Sequence, residues 1–142
     1  MGTWGTDIFE DDTALQFFEE LSNENLSITK LVSHLDKVNH TQYDMEDFDL
    51  LMAGFKEPSF ALVVAEILAS SLGNPSDKYP SFPKLDLEQI KNEISPEVKL
   101  KAIAAIKKIK ETKGIHLTEL WMESESFQEW KNYLDHLSQR IN

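Results

Sequence analysis

The feature that most constrains the fold is a run of ten residues at positions 60–69, which is apolar except at Glu66. A helix that is apolar on every side has to be surrounded by other elements. Pro58 suits the first turn of such a helix, and the Gly-Asn-Pro triplet at 73–75 is a typical stop signal. The sequence therefore predicts a central helix over about residues 59–72.

The segments on either side repeat their apolar residues at spacings of three and four, which is typical of amphipathic helices. Alternation with a period of two is confined to residues 4–8 and 115–117, too short to indicate a sheet. The predicted helix starts are Asp11 or Asp12, Ser27, Asp86, Ser95 and Ser126, the last with Glu129 as a capping box. We predict an all-α fold in which residues 1–142 form a single compact multi-helix domain around the central helix.

Composition excludes several classes of protein. The chain has no cysteine, which excludes a disulfide scaffold, a thiolate metal site and a cysteine nucleophile. No apolar run approaches the length of a membrane span, and no basic-then-apolar leader opens the sequence. We therefore expect a cytoplasmic protein without a membrane partner.

The charge is unevenly distributed along the chain. The formal net charge is −11; residues 1–72 hold 14 acids and 3 lysines, whereas residues 73–142 hold 11 acids and 11 bases. Such a balance argues against nucleic acid and anionic membranes as partners. The acidic half could bind a basic protein, dock against the lysines of the second half, or serve solubility alone.

The opening of the chain carries a family resemblance. The segments Met1–Thr6 (Met-Gly-Thr-Trp-Gly-Thr) and Phe9–Ala14 (Phe-Glu-Asp-Asp-Thr-Ala) resemble the signature of a bacterial family catalogued as domain of unknown function 4259. Weaker matches follow in the family's order at Ala61, Ala65-Glu66, Gly73-Asn74-Pro75, Pro96-Glu97, Leu120-Trp121 and Glu129-Trp130. The resemblance implies a cytosolic, helical, bacterial protein and no particular activity.

The chain departs from this family pattern at three positions. Relatives often have Asn at the position of Asp11, Asp at that of Gln16 and Trp at that of Phe17. An acid used for chemistry at the second of these positions could not be replaced by Gln16.

No local motif indicates catalysis, and we predict no catalytic residue, no cofactor and no metal site. The four histidines form no zinc-binding pair, and nucleophile-elbow and phosphate-loop motifs are absent from the sequence. The acids Asp44, Glu46, Asp47 and Asp49 lack the glycine and glutamate that a calcium loop needs at its sixth and twelfth positions. We interpret these four acids as a candidate acidic interaction surface.

Glu66 is the most informative single residue, because an unpaired carboxylate inside an apolar helix costs several kcal/mol. It must reach the surface, be protonated, or find hydrogen-bond donors. Trp4 and the backbone of residues 2–5 offer such donors, so that Glu66 would hold the amino-terminal segment over the core. The alternative is that Glu66 acts as a general base in a pocket near Trp4.

Further candidate structural or pocket residues are Trp4, Phe9, Asp12 and Trp121. We predict that Trp4 and Phe9 are buried, because large aromatic side chains can hold a glycine-containing terminal segment against the core. Trp121 lies beside Leu117 and Leu120, which favours core packing.

Three hypotheses for function follow. The first is a non-enzymatic interaction protein, similar to antitoxins or immunity proteins, that binds a basic protein through its acidic half. The second is a small enzyme with Glu66 as acid or base. The third, which no motif indicates, is self-association of the lysine-rich helix after Ser95 with the acidic half.

Overall fold

Helices make up the regular structure of the residues that the structure describes. The computed structural model describes residues 5–23, 27–42, 56–81, 85–112 and 115–142. Within these ranges the α-helices are α1 (Asp12–Ser22), α2 (Ile28–His40), α3 (Glu57–Ser71), α4 (Leu87–Glu93), α5 (Pro96–Glu111), α6 (His116–Met122) and α7 (Phe127–Ile141), and a 3-10 turn (Ile8–Glu10) precedes α1. The described ranges contain no strand, and the predicted all-α fold is confirmed.

The predicted central helix is α3. Every residue from Ala61 to Ala69 is buried, and α3 packs against α1, α2, α4, α5, α7 and the 3-10 turn. Pro58 lies in the first turn, where its missing N–H costs no helical hydrogen bond. Gly73 follows the helix with φ at +89°, a conformation that residues with a side chain rarely adopt.

Four helix starts are capped as the sequence predicts. The side chains of Ser27, Asp86 and Ser95 accept a hydrogen bond from the backbone N–H three residues later. At α1 the cap is Asp11, whose carboxylate accepts from the N–H of Ala14. Asp12 is the first residue of the helix and is exposed.

The capping box predicted at Ser126 is wrong, although α7 does begin at Phe127. Ser126 has φ −93° and ψ 15°, and not the extended backbone of the other serine caps, so its hydroxyl does not accept from the first turn. Its own N–H instead donates to Oγ of Ser124 at 3.1 Å.

The amino-terminal segment lies against the core. Asp7 caps the 3-10 turn, and Phe9 is 3% exposed, as predicted. The Phe9 ring meets the rings of Phe18 and Tyr79 edge to face, with centroids 5.5 and 5.3 Å apart. Trp4 and Gly2 lie outside the described residues.

The lysine-rich helix α5 packs against the acidic half of the chain through α2. Lys101 Nζ lies 3.3 Å from Asp36 Oδ1. Lys108 donates to the carbonyl oxygens of Asn39 at 3.1 Å and of Thr41, where α2 ends. Within one molecule, Lys101 thus neutralises an acid of α2, and Lys108 caps the carboxyl-terminal end of the same helix.

None of the helices in the described ranges is both long enough and apolar enough to cross a bilayer.

Candidate functional site

A buried ion pair joins the central helix to the last helix. The side chain of Glu66 has no solvent exposure, and that of Arg140 on α7 is 11% exposed. Arg140 Nη2 lies 2.5 Å from Glu66 Oε1, and Nη1 lies 3.2 Å from Oε2. Both carboxylate oxygens are therefore held in a two-pronged arrangement, which is the strongest geometry for this pair.

Tyr133 adds a third hydrogen bond from the same helix. Its hydroxyl donates to Glu66 Oε1 at 3.3 Å. Tyr133 and Arg140 are seven residues apart, so they lie on one face of α7, two turns from each other. The sequence of α7 thus supplies the donors that the carboxylate of α3 needs.

Arg140 is itself fixed by the loop that follows α3. Its Nη1 donates to the carbonyl of Asn74 at 3.2 Å, and the side-chain amide of Asn74 donates to the carbonyl of Arg140 at 3.0 Å. The Nε–H of Arg140 donates to Nδ1 of His136 at 3.2 Å. A neutral His136 that accepts this bond carries its own proton on Nε2.

Asp7 brings a second carboxylate to this region from the amino-terminal segment. Its Oδ1 accepts from the N–H of Phe9 at 2.9 Å, and its Oδ2 accepts from the hydroxyl of Ser76. The negative charge of Asp7 acts on Glu66, Tyr133 and Arg140 alike. Three segments far apart in sequence therefore meet around one guanidinium.

Burial governs the ionisation of these groups. It raises the pKa of Glu66 to about 6, outweighing the hydrogen bonds and positive charge of Arg140, and the charge of Asp7 raises it further. Burial, together with the charges of Glu66 and Asp7, holds the pKa of Tyr133 well above its usual range. Burial also raises the pKa of Tyr79 to about 12.

A surface pocket of about 270 Å³ opens beside the ion pair. We call it the terminal pocket; its walls are residues 6, 7 and 10 of the amino-terminal segment, residues 75–78 after α3, and residues 133, 136 and 140 of α7. Glu66 does not line it. A cavity of about 10 Å³ near Gly5 and Trp130 has room for no more than a water molecule.

The other predicted site residues occupy different places. Trp121 is 6% exposed and stacks on Trp130, with ring centroids 5.9 Å apart, so it belongs to the core. Asp12 is an exposed residue of α1 and does not line the terminal pocket. Trp4 and the four acids Asp44, Glu46, Asp47 and Asp49 lie outside the described residues.

Sequence reasoning missed the donors that bind Glu66. It proposed Trp4 and the amino-terminal backbone, whereas Arg140 and Tyr133 provide the bonds that the structure describes. One signal was present: Arg140 is the sole arginine of the chain and stands between Leu137 and Ile141 on the apolar stripe of α7. An arginine beside buried positions often reaches a buried acid.

The described residues contain no group of three or more side chains that could hold a metal ion.

The fold and this site define an all-helical protein whose core encloses a carboxylate–guanidinium pair. The chain belongs to the family described as Domain of unknown function (DUF4259), whose model matches residues 2–133. Tyr133 is the last matched residue, so His136 and Arg140 lie beyond the match. Neither the curated proteins nor the solved structures include a significant match to the chain.

Proposed function

We propose that this protein is a cytosolic bacterial interaction domain without enzymatic activity, which binds a basic protein through its acidic first half. Antitoxins and immunity proteins act in this way, and the comparison with them is an analogy. The observation that carries the proposal is that residues 5–23 hold six acids and no base. Such a surface accelerates the encounter with a cationic partner.

The described part of this acidic surface lies on α1. Asp12, Glu19 and Glu20 are exposed and share one side of the helix, which we call the acidic α1 face. The opposite side is packed in the core through Ala14, Phe17, Phe18 and Leu21. Because α1 carries no basic residue, the charge of this face is not balanced within the helix.

The geometry gives no comparable support to an enzyme that uses Glu66. A general acid or base has to come within hydrogen-bond distance of a substrate atom. Glu66 is closed to solvent, and its two oxygens already accept bonds from Arg140 and Tyr133. These contacts support a structural role for Glu66.

The test is capture of a partner from cells of the source organism by the full chain and by a neutralised variant. The variant replaces the acidic α1 face by Asp12→Asn, Glu19→Gln and Glu20→Gln. We expect the intact chain to retain a basic protein, and the variant to lose at least about tenfold in affinity, since each charge contact at an interface rim contributes a modest amount. Raising the salt concentration should weaken the interaction.

The matched control replaces three exposed acids of the second half, Glu88→Gln, Glu123→Gln and Glu125→Gln, and so changes the net charge by the same amount. This control should bind like the intact chain. The proposal fails if both triple variants bind equally well, if binding ignores salt, or if the retained proteins are acidic.

A further inference from the structure

We infer that the terminal pocket receives one cationic side chain, arginine or lysine, of the basic partner. This inference rests on the proposed function. It names the contact that would make binding of the basic partner specific. The pocket lies between the amino-terminal segment, the loop after α3 and α7. Its volume of about 270 Å³ is slightly below the usual range of ligand pockets and suits a single side chain.

The charges around the pocket favour a cation. Arg140 lines the pocket, but its guanidinium is already paired with Glu66. Asp7, Glu10 and Asp77 line the same pocket, and none of the three forms a salt bridge within the described part of the chain. Lys78 is the other cation on the wall and is exposed to solvent. Three carboxylates and the ammonium group of Lys78 therefore line the pocket beside the pair of Glu66 and Arg140, which leaves an excess of negative charge.

The interaction between Asp7 and Glu66 points in the same direction. Both carboxylates act on Arg140, and the charge of Asp7 makes ionisation of Glu66 more difficult. The guanidinium of Arg140 therefore interacts with the negative charges of both Glu66 and Asp7. A second positive group beside Asp7 would relieve this repulsion, and the pocket is the open space next to Asp7.

Gly5 leaves room for the carboxylate of Glu10. A Cβ atom on this residue would lie 2.1 Å from Glu10 Oε2 and 2.3 Å from Cδ, closer than any two such atoms can approach. The side chain of Glu10 therefore occupies the space that only a glycine leaves free. A methyl group at position 5 would displace the carboxylate without changing the charge of the protein.

The pocket chemistry suits a planar or ammonium cation better than a metal ion. The described residues offer no group of three metal ligands, whereas Asp7 and Glu10 together can accept from the several N–H donors of one guanidinium. Thr6 and Ser76 also line the pocket, and the hydroxyl of Ser76 donates to Asp7.

The inference can be tested by titrating the full chain with arginine amide and following the NMR signals of Thr6, Ser76 and Tyr133. Citrulline amide is the matched probe, because it has nearly the same shape and carries no charge on its side chain. We expect arginine amide to shift these signals saturably with a Kd in the millimolar range, as is usual for a single side chain. Citrulline amide should leave them unchanged.

Two variants distinguish the effect of the charge of Glu10 from the effect of the position of its carboxylate. Glu10→Gln removes the charge, and Gly5→Ala displaces the carboxylate while keeping it; both should weaken binding of arginine amide by about fivefold. Glu88→Gln, which changes an exposed acid of α4 outside both the pocket and the acidic α1 face, should bind like the intact chain. Circular dichroism of each variant establishes that the fold is retained.

Equal shifts with citrulline amide, or equal affinity in Glu10→Gln and Glu88→Gln, would overturn the inference. If partner capture depends on the acidic α1 face but arginine amide does not bind, the proposed function stands and the pocket assignment is wrong. If arginine amide binds while no basic partner is captured, the pocket is a cation site and the proposed function fails.

Discussion

At the scale of single residues, burial and pairing of Glu66 oppose each other. Burial penalises the charged carboxylate, and the guanidinium of Arg140 compensates for part of this penalty. Tyr133 donates to the same carboxylate, while Asp7 adds a negative charge nearby. The balance leaves a carboxyl group that binds its proton more tightly in the folded protein than in the unfolded chain.

This balance predicts an unusual dependence of stability on pH. Between pH 4.5 and about 6 the folded protein binds more protons at Glu66 than the unfolded chain does. Glu66 therefore contributes roughly 2 kcal/mol to the free energy of unfolding through this pKa difference. The contribution is fully present below pH 4.5 and is lost as the pH rises through about 6. Urea unfolding of the intact chain and of Glu66→Gln, from pH 4.5 to neutrality, measures it as the difference between the two proteins.

The intact chain should lose stability relative to Glu66→Gln across this pH interval. Glu20→Gln, which removes an exposed carboxylate, provides the control and should show no such loss. A difference between the intact chain and Glu66→Gln that is constant with pH would contradict the prediction.

At the scale of helices, the serine caps show what local sequence does and does not determine. Ser95 has an extended backbone, with ψ at 165°, and accepts from the N–H of Val98 at 3.2 Å. Ser126 has the same residue type before a helix and a glutamate three residues later, yet ψ is 15° and the hydroxyl caps nothing. The turn at residues 124–126 determines this conformation, and the capping pattern does not include that information.

Substitution of these two serines by alanine should therefore have different effects. Ser95→Ala should lower the free energy of unfolding by about 1 kcal/mol, because it removes a working cap. Ser126→Ala should change it by less than about 0.5 kcal/mol, as is usual for a side chain without such a bond. Urea denaturation of both variants checks this, and equal losses would contradict it.

The same contrast explains how much of the molecule could be predicted. The central helix could be predicted because an apolar run bounded by Pro58 and by Gly73-Asn74-Pro75 fits few structures other than a buried helix. Glu66 was noticed because it is the charged residue within that run. Its partners could not, since Arg140 lies 74 residues away and only the packing of α7 on α3 brings the two together. Asp11 and Asp12 were equivalent as caps in the sequence, and the backbone at the start of α1 decides between them.

At the scale of the whole molecule, residues from all parts of the described chain contribute to one cluster of buried side chains. The central helix contacts five other helices, so the loss of any of them exposes part of α3. We therefore expect the chain to unfold as one cooperative unit, in keeping with the prediction of a single domain over residues 1–142.

This expectation is checked by following denaturation with two probes. Tryptophan fluorescence reports on the stacked pair Trp121 and Trp130 as well as on Trp4, and far-ultraviolet circular dichroism reports on all the helices. The two transitions should coincide. Separate midpoints would mean that α6 and α7 unfold independently of the remainder of the chain.

The ion pair between Glu66 and Arg140 also has a consequence for how the chain can fold during its synthesis. A ribosome produces the most apolar helix long before it produces the guanidinium 74 residues later. Until then, an ionised Glu66 has no counter-charge of this kind, and sealing it inside a core would be costly. An ionised Glu66 therefore favours a nascent α3 with one side open to water, and the core gains this charge pair only after residue 140 has been made.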